Sequence, residues 1–245
     1  MYSPTTLQTG TDLKTLAREL ERKSAEEILR TALELYSPEI AFATAFGAEG
    51  MVVLDLLSKI EPRAKVFYVD TQFFFRPTYE LIDRAKERYS HFDWIRILPE
   101  LTPAQQAATH GPELYKSDPD ACCQMRKVLP LKRYFEGSSL KAWVASLRRE
   151  QSKTRTETPV VLRDPVYGLA KFHPLARWTW DEVWAYLRAN DVPYNVLHDH
   201  QFPSIGCWPC TRAVKPGEDH RAGRWSGQNK TECGLHVAAA GGKVA

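Results

Sequence analysis

Short apolar runs alternate with longer amphipathic stretches along most of the chain. Six apolar runs of strand length lie at residues 39–46, 65–70, 93–98, 140–147, 160–164 and 171–175. Leucine and isoleucine residues spaced by three and four positions predict a helix over residues 12–36. Strands that alternate with helices are typical of an α/β fold, so we expect a parallel sheet with helices on both faces.

Further helices are predicted between the strand candidates. They cover residues 51–60, Pro77 to about Tyr89, about 119–135, and Thr179 to Asn190. The helix at 119–135 should bend or break at Pro130, because proline lacks the backbone N–H that a helix interior needs. Thr179 and the acidic residues after it are typical of a capped helix start.

The regular pattern ends at about residue 196. Proline, glycine and tryptophan become frequent, and residues 215–245 are predicted to be a flexible or conditionally ordered tail. We therefore divide the chain into one α/β domain, residues 1–210, and a C-terminal tail, residues 211–245.

Composition agrees with a folded protein that needs no disulfide to be stable. The chain has 245 residues, of which 43% are hydrophobic and 26% charged. The N-terminus lacks the apolar core of a signal peptide, and no run approaches the roughly 18–20 apolar residues of a membrane span. The expectation is a cytoplasmic protein without a membrane partner, whose thiols stay reduced.

Basic charge is concentrated in two regions although the net charge is only +3. Residues 121–155 hold nine Lys/Arg against two Asp/Glu, and residues 211–245 hold six against three. A small polyanionic ligand and a solvated basic face both explain this distribution. A nucleic-acid partner is not expected, because the basic segments lack a known reader motif.

The segment 39–60 forms a strand, a glycine-containing turn and a helix. Backbone N–H groups at the start of such a helix suit phosphate, and ligands of parallel sheets bind beyond the carboxyl ends of strands. The turn FGAEG matches neither the GxGxxG nor the Walker pattern. Taken alone, it fits an ordinary strand-to-helix turn as well as a phosphate loop.

Four of the five cysteines form two pairs, Cys122-Cys123 and Cys207-Trp208-Pro209-Cys210. Because Asp118 can cap a helix that begins at Pro119, the first pair should lie in a helical first turn, where the dipole favours thiolates. Four thiolates suit zinc or an iron–sulfur cluster. Adjacent cysteines count somewhat against simple zinc, but the spacing leaves zinc, a cluster and a metal-free set open.

Lys127 lies four residues after Cys123 and should share its helix face. A cation there would offset the negative charge of a metal–thiolate group.

The fifth cysteine, Cys233, lies in the polar tail within Thr231-Glu232-Cys233-Gly234-Leu235-His236. Lys230 and His236 would favour a thiolate nucleophile, whereas Glu232 would raise the pKa of the thiol. An incidental tail cysteine is the alternative.

Arginine and lysine residues form the last candidate group. Arg148 and Arg149 directly follow a predicted strand, and arginine forks match phosphate and sulfate oxygens. The group comprises Arg126, Lys127, Arg148, Arg149, Lys153, Arg155, Arg221 and Arg224.

Together these motifs resemble the assimilatory adenylyl-sulfate (APS) and phosphoadenylyl-sulfate (PAPS) reductases, specifically the bacterial cluster-containing APS reductase type. The resemblance covers about residues 40–236. The matching stretches are FGAEGMVVLDLL (46–57), FYVDT (67–71), CCQMRKVLPLKR (122–133), LRREQSKTR (147–155), PLARWTWDEVWAYL (174–187), the segment 192–225, and ECGLH (232–236).

The resemblance implies an adenine-nucleotide alpha-hydrolase-like fold, related to PP-loop enzymes. It implies a [4Fe–4S] cluster on Cys122, Cys123, Cys207 and Cys210, and Cys233 as the nucleophile. Family members often have Ser before the Phe of the phosphate loop, where this chain has Ala45, so one hydroxyl donor is absent. The implied substrate-binding residues are Thr44, Ala45, Phe46, Gly47, Asp70, Thr71, Arg126, Lys127, Arg148, Arg149, Arg221, Arg224 and His236.

The implied reaction is reduction of APS to sulfite and AMP in sulfate assimilation, the route to cysteine. The Cys233 thiolate would attack the sulfur of APS and form an S-sulfocysteine, which reduced thioredoxin or glutaredoxin would then cleave. The tail would act as a lid that carries Cys233. The cluster would not carry electrons in this reaction. The sequence allows both a monomer and a homo-oligomer.

Three alternatives accompany this interpretation. A PAPS reductase or a dual APS/PAPS reductase is the nearest, although simpler PAPS reductases lack both cysteine pairs. A tRNA-thiolating PP-loop enzyme would keep a Ser-Gly-Gly-x-Asp-Ser loop, which residues 44–50 do not contain. A nucleotide-binding iron–sulfur redox sensor would not need Cys233.

Overall fold

Six strands form one sheet in the computed structural model, which describes residues 12–235. The strand order is β3-β2-β1-β4-β6-β5, and β5 alone runs antiparallel to its neighbour. The predicted α/β class with a mostly parallel sheet is therefore confirmed. The strands are β1 Ile40–Ala43, β2 Lys65–Val69, β3 Asp93–Ile97, β4 Ala142–Ala145, β5 Val161–Arg163 and β6 Ala170–Phe172.

Helices cover both faces of this sheet, as the alternating pattern predicts. The α-helices are α1 Leu13–Leu20, α2 Ala25–Tyr36, α3 Ala48–Ile60, α4 Arg76–Arg88, α5 Pro103–His110, α6 Leu114–Ser117, α7 Pro119–Cys123, α8 Leu129–Glu136 and α9 Trp180–Ala189. A π-helical turn spans Gln124–Val128, and short 3₁₀ segments lie at Arg149–Gln151, Lys153–Arg155, Val196–His200 and Trp208–Cys210.

Alternate residues of each strand enter two separate cores. Phe42 and Val144 point into the larger core, which α2, α3 and α9 complete. Ala41 and Trp143, their neighbours in the sequence, point into a smaller core with Phe135 of α8. This division follows from the two-residue period of a strand, because successive side chains leave opposite faces. Burial on both faces explains why the strands are apolar runs rather than alternating ones.

The helix predicted over residues 12–36 is in fact two helices. Glu27 N–H donates to Ser24 Oγ at 3.2 Å, and Ser24 N–H donates to the Glu27 carboxylate at 2.8 Å. This reciprocal capping box starts α2 and so ends the preceding helix. The apolar spacing is nearly continuous across the break, which is why periodicity alone does not reveal it.

The irregularity predicted at Pro130 lies one turn earlier. Pro130 sits in the first turn of α8, and the π-helical turn Gln124–Val128 precedes it. Pro130 has no N–H to donate to the carbonyl four residues back, and its ring crowds that carbonyl. The wider π turn absorbs this conflict while the chain direction continues.

The capped start predicted at Thr179 is confirmed: Glu182 N–H donates to Thr179 Oγ1 at 3.2 Å. The Asp118 cap is also confirmed, since its carboxylate accepts from Ala121 N–H at 2.9 Å. Residues 12–235 contain no helix that is both long and apolar enough to cross a membrane.

Candidate functional site

A cleft opens where β1, β2 and β4 end, and Ala43, Val69 and Ala145 line its floor. The connection from β1 leads to β2 on one side of it, whereas β4 pairs with β1 on the other side. This reversal of strand order leaves a crevice at the carboxyl edge of the sheet, the usual ligand position in open parallel sheets.

The loop from β1 to α3 forms one wall of the cleft. Thr44, Ala45 and Gly47 line it. Gly47 caps α3 without any side-chain hydrogen bond to the first turn, so backbone N–H groups remain free for a ligand anion. The Thr44 hydroxyl accepts from Phe46 N–H at 3.0 Å and so braces the loop. A Cβ on Gly50 would lie 2.8 Å from that hydroxyl.

Phe46 supports the loop from below rather than lining the cleft. Its backbone is left-handed, with φ of 57°, and its ring is buried. The ring meets Tyr68 edge-on with centroids 5.2 Å apart and stacks on Trp94 at 6.1 Å. These aromatic contacts anchor the loop in the larger core.

Asp70 and Thr71 follow β2 and have different positions. Asp70 is fully buried, accepts from Arg96 Nε at 3.0 Å and caps the next turn through Gln72 N–H at 2.8 Å. It therefore shapes the loop and does not line the cleft. Thr71 does line it, and its hydroxyl lies 3.3 Å from the sulfur of Cys207.

A second, smaller cavity adjoins the cleft and is lined by all four paired cysteines. Helix α7 supplies Cys122 and Cys123, and the 3₁₀ turn Trp208–Cys210 with its cap supplies Cys207 and Cys210. Phe73 and Tyr115 close its aromatic side. The fold thus brings together two pairs that are far apart in the sequence.

The four thiols are free and largely buried. Burial raises the pKa of Cys123 to about 11 and that of Cys210 to about 12. Thiols whose pKa is raised by burial, as in Cys123 and Cys210, become thiolates near neutral pH only with cationic partners such as metal ions. Their chemistry therefore fits a metal–thiolate group.

Among residues 12–235, no three Cys, His, Asp or Glu side chains converge as a single metal ion requires. A single zinc ion with Zn–S bonds of about 2.3 Å would draw its four sulfurs close together. Four cysteine thiolates are the ligand set both of a structural zinc site and of a four-iron cluster.

The π turn aims two cations at these thiols. Arg126 is 2% exposed, donates to the carbonyl of Thr71 at 3.0 Å, and lies 4.6 Å from the centre of the Phe73 ring. Lys127 lines both the cysteine cavity and the cleft. Its positive charge therefore acts on both sites at once.

The tail packs against the domain through residue 235 and returns to the cleft. Thr211 pairs with Arg224 in an isolated antiparallel bridge, and Trp225 N–H donates to the Cys210 carbonyl at 3.0 Å. Trp225 is 3% exposed. These contacts bring Cys233 back to the cleft, whose lining it shares with the loop that follows β1.

Cys233 lies in an electropositive environment. Burial alone would raise its pKa, but the charge of Lys127, a backbone hydrogen bond at Leu235 and the charge of Arg224 together hold the pKa below its ordinary value. Glu232 acts in the opposite direction. A lowered pKa increases the thiolate fraction near neutral pH, which is what a nucleophilic cysteine requires.

Arg221 and Arg224 reach the cleft from the tail. Arg224 lies 4.5 Å from the centre of the Trp225 ring and donates to Ser204 Oγ at 3.3 Å. A Cβ at Gly206 would lie 2.5 Å from Arg224 Cζ, so any larger residue there would displace the guanidinium.

Arg148 and Arg149 leave the end of β4 in different directions. Arg148 lines the cleft, is nearly buried, and pairs with Glu49 at 2.9 Å and Glu150 at 2.8 Å. Arg149 does not line the cleft; both of its terminal nitrogens bind the carboxylate of Glu21. His236 lies outside the described residues.

Several cleft residues are absent from the site predicted from sequence. Arg155 belongs to the basic group noted above, and its position in LRREQSKTR is the signal that could have identified it. Glu49, Ser146, Trp180, His198 and His220 also line the cleft. No spacing or charge pattern in the sequence distinguishes these residues from others of their type.

The family model and the relatives that match this chain are all described as reductases of a sulfonucleotide. A family model described as the phosphoadenosine phosphosulfate reductase domain matches residues 39–213. An adenosine 5'-phosphosulfate reductase of Halalkalibacterium halodurans is 50% identical over 217 residues, which are 89% of this chain and 93% of that protein. Adenosine 5'-phosphosulfate reductase 2 of Bacillus subtilis is 48% identical over 210 residues, 86% of this chain and 88% of that protein.

Solved structures show the same likeness. A phosphoadenylyl-sulfate reductase from Candida auris, in a phosphate complex, is 28% identical with a TM-score of 0.73 and covers 86% of this chain and all (100%) of that chain. An FMN adenylyltransferase from Candida glabrata is 16% identical with a TM-score of 0.55, covers 84% of this chain and 69% of that one, and shares the fold alone. These neighbours confirm the predicted α/β fold.

Proposed function

The chain belongs to the phosphoadenosine phosphosulfate reductase family, and on that premise we propose that it reduces adenosine 5'-phosphosulfate (APS) to sulfite and AMP. The observation that carries the proposal is the position of Cys233: its thiol shares one cleft with the free N–H groups at Gly47 and with the cations Lys127, Arg221 and Arg224. APS is the favoured substrate because relatives at 46–50% identity are named for it.

The first half-reaction is an attack on sulfur. The Cys233 thiolate forms an S–S bond to the sulfonate sulfur of APS as the bond from that sulfur to the bridging oxygen breaks. AMP leaves with the bonding electron pair. The substrate and the thiolate are both anionic, so Lys127 and the two tail arginines offset charge that would otherwise keep them apart.

The second half-reaction needs two electrons from a dithiol protein such as thioredoxin or glutaredoxin. One thiolate of that protein attacks Cys233 Sγ and displaces sulfite. Its second thiol then breaks the mixed disulfide, which restores the Cys233 thiol and leaves the partner oxidised. Because Cys233 is only partly buried, the tail that carries it is the segment that must present it to the partner. In this proposal residues 211–235 act as the lid of the domain that ends at 210.

A [4Fe–4S] cluster is proposed for Cys122, Cys123, Cys207 and Cys210, whose free thiols line one cavity. When bound, it would supply cross-links between α7 and the turn at 207–210 and a charged group behind Lys127. Arg126, in the π-helical turn that follows α7, donates to the carbonyl of Thr71 and so fixes this turn to the loop after β2. Lys127, the next residue, lines the cleft.

Turnover with purified components tests this proposal. We expect AMP and sulfite in equal amounts from APS with reduced thioredoxin, with kcat/KM at least about tenfold above that for PAPS. Equal or better turnover of PAPS would reassign the substrate. No sulfite from either nucleotide would reject the reductase.

Replacing Lys127 by Met tests the electrostatic role of that side chain. Loss of its charge raises the pKa of Cys233, so the thiolate forms only at higher pH. We expect kcat/KM at pH 7 to fall about ten- to a hundredfold, with part of the loss recovered as the pH rises above 9.

Lys132→Met is the matched control, because Lys132 pairs with Glu136 at 3.7 Å on the surface of α8. Iron content is measured in both variants, since Lys127 also borders the cysteine cavity. A uniform loss across pH in Lys127→Met would show that Lys127 acts on the anionic substrate and would contradict its effect on the pKa of Cys233.

A further inference from the structure

Glu232, the residue before Cys233, is held by a two-pronged ion pair. Arg155 Nε donates to Glu232 Oε1 at 2.9 Å, and Arg155 Nη2 donates to Oε2 at 2.7 Å. The two side chains are only 11% and 19% exposed. A fork of this kind fixes both distance and direction, which a single contact does not.

Further contacts hold the same stretch of backbone. Thr154 Oγ1 donates to Glu232 Oε1 at 3.0 Å. Arg221 Nη2 donates to the Thr231 carbonyl at 2.8 Å and lies 3.4 Å from Glu232 Oε2. Thr231 and Glu232, the two residues before Cys233, are thus held by hydrogen bonds from the 3₁₀ segment Lys153–Arg155 and from Arg221 of the tail itself.

The tail is also tied on the side of the cysteine cavity. Lys230 forms an ion pair with Asp120 of α7, and Gln228 Nε2 donates to the Tyr115 carbonyl at 3.2 Å. The stretch 228–232 therefore spans from the cysteine-bearing helix to the Arg155 segment. Cys233 follows directly at the second anchor.

The charge of Glu232 is unfavourable for the chemistry next to it. A carboxylate adjacent to a thiolate repels the thiolate and an incoming anionic substrate alike. Partly burying it also costs free energy, which the Arg155 fork offsets. Its electrostatic effect opposes the reaction, so the benefit must be geometric.

We propose that Glu232 is a positioning residue, whose ion pair with Arg155 seats Cys233 at the cleft wall for attack. The proposal rests on the proposed function, in which Cys233 is the nucleophile. Displacement of a reacting atom by about 1 Å can lower the rate about a hundredfold. The Glu232–Arg155 ion pair, one residue before Cys233, can therefore have a large effect on the rate of the chemical step.

The test is a double-mutant cycle on the first half-reaction. Glu232→Gln, Arg155→Ala and the double variant are mixed with APS without thioredoxin, and the rate of Cys233 sulfonation is followed by mass spectrometry. We expect each single variant to be about 10- to 100-fold slower. The double variant should be no slower than the slower single variant, because the two residues act as one unit.

AMP affinity separates positioning from substrate binding. Positioning predicts a change of less than about threefold in the AMP dissociation constant for every variant. Arg149→Ala is the control, since Arg149 pairs with Glu21 outside the cleft. Arg155→Ala would overturn the proposal if it weakened AMP about tenfold while Glu232→Gln sulfonated at the wild-type rate.

Hydrogen exchange of the peptide 226–235 gives a readout that needs no substrate. We expect its protection to fall in Arg155→Ala and Glu232→Gln and to stay unchanged in Arg149→Ala. If wild-type protein is not sulfonated by APS, the proposed function fails, and the exchange data still decide on the anchor. Unchanged protection in both variants would refute the anchor itself.

Discussion

Replacing Cys233 by Ser should abolish turnover of APS, with kcat below about one ten-thousandth of the wild-type value. A serine hydroxyl has a far higher pKa than a thiol, so Lys127 and Arg224 cannot convert it into a useful anion. The hydroxyl oxygen would also give an ester of sulfate, which a dithiol does not reduce. The measurement is AMP release by chromatography, with and without thioredoxin.

Binding and folding should survive this substitution. The substitution is nearly isosteric, Cys233 is partly exposed, and its thiol belongs to no disulfide. We expect AMP affinity within about twofold of wild type and an unchanged iron content. Thr231→Ala, at an exposed neighbour whose carbonyl still accepts from Arg221, is the control. Turnover above a few per cent in Cys233→Ser would show that another group attacks sulfur.

Replacing Cys207 by Ser should instead prevent the protein from holding the proposed cluster. Anaerobically purified wild-type protein is expected to contain about four iron and four sulfide per chain, and Cys207→Ser less than about one iron. The Cys207 sulfur is buried beside Thr71 and lines both cavities. Its loss should therefore also lower kcat by more than about a hundredfold and Tm on the order of 10 °C.

Each cysteine variant serves as the control for the other. Cys233→Ser should keep its iron but no longer turn over APS. Cys207→Ser should lose its iron and, as a consequence, most of its activity. The measurements are metal analysis, acid-labile sulfide and the visible absorption of the protein. One zinc per chain without sulfide would contradict the cluster, and so would full iron occupancy in Cys207→Ser.

The sequence predicts the sheet and the order of its elements well, for a definite physical reason. Strands such as β1 and β4 are buried on both faces, so their apolar runs are visible without knowledge of their neighbours. Helix starts at Thr179 and Asp118 are equally local, because a cap is a contact between residues three apart. The split between α1 and α2 is missed because apolar spacing continues across it.

The site is harder to predict, because the partner of each charged residue depends on the fold. Arg148 and Arg149 are adjacent and equivalent in sequence. Arg148 lines the cleft, whereas Arg149 pairs with Glu21 at the C-terminal end of α1. Asp70, which the resemblance places among the substrate-binding residues, pairs with Arg96 and does not line the cleft. Its role as a loop support depends on a contact between β2 and β3 that no local pattern records.

The packing of the tail is also invisible in the sequence. Polar composition predicts a flexible or conditionally ordered tail and does not say where it packs; residues 211–235 pack along the cleft through Trp225, Glu232 and Cys233. Their contacts are charged and distant in sequence, such as Glu232 with Arg155. A composition-based prediction counts apolar residues and has no means of detecting ion pairs that form across a cleft.

The most direct test of the account is the covalent intermediate on Cys233. Anaerobically purified protein is mixed with APS, and separately with PAPS, in the absence of thioredoxin, and intact and peptide masses are measured. The account predicts one sulfonate per chain on the peptide that contains Cys233, formed from APS with release of an equal amount of AMP. An intact cluster with no adduct from either nucleotide, or an adduct on another residue, would contradict it.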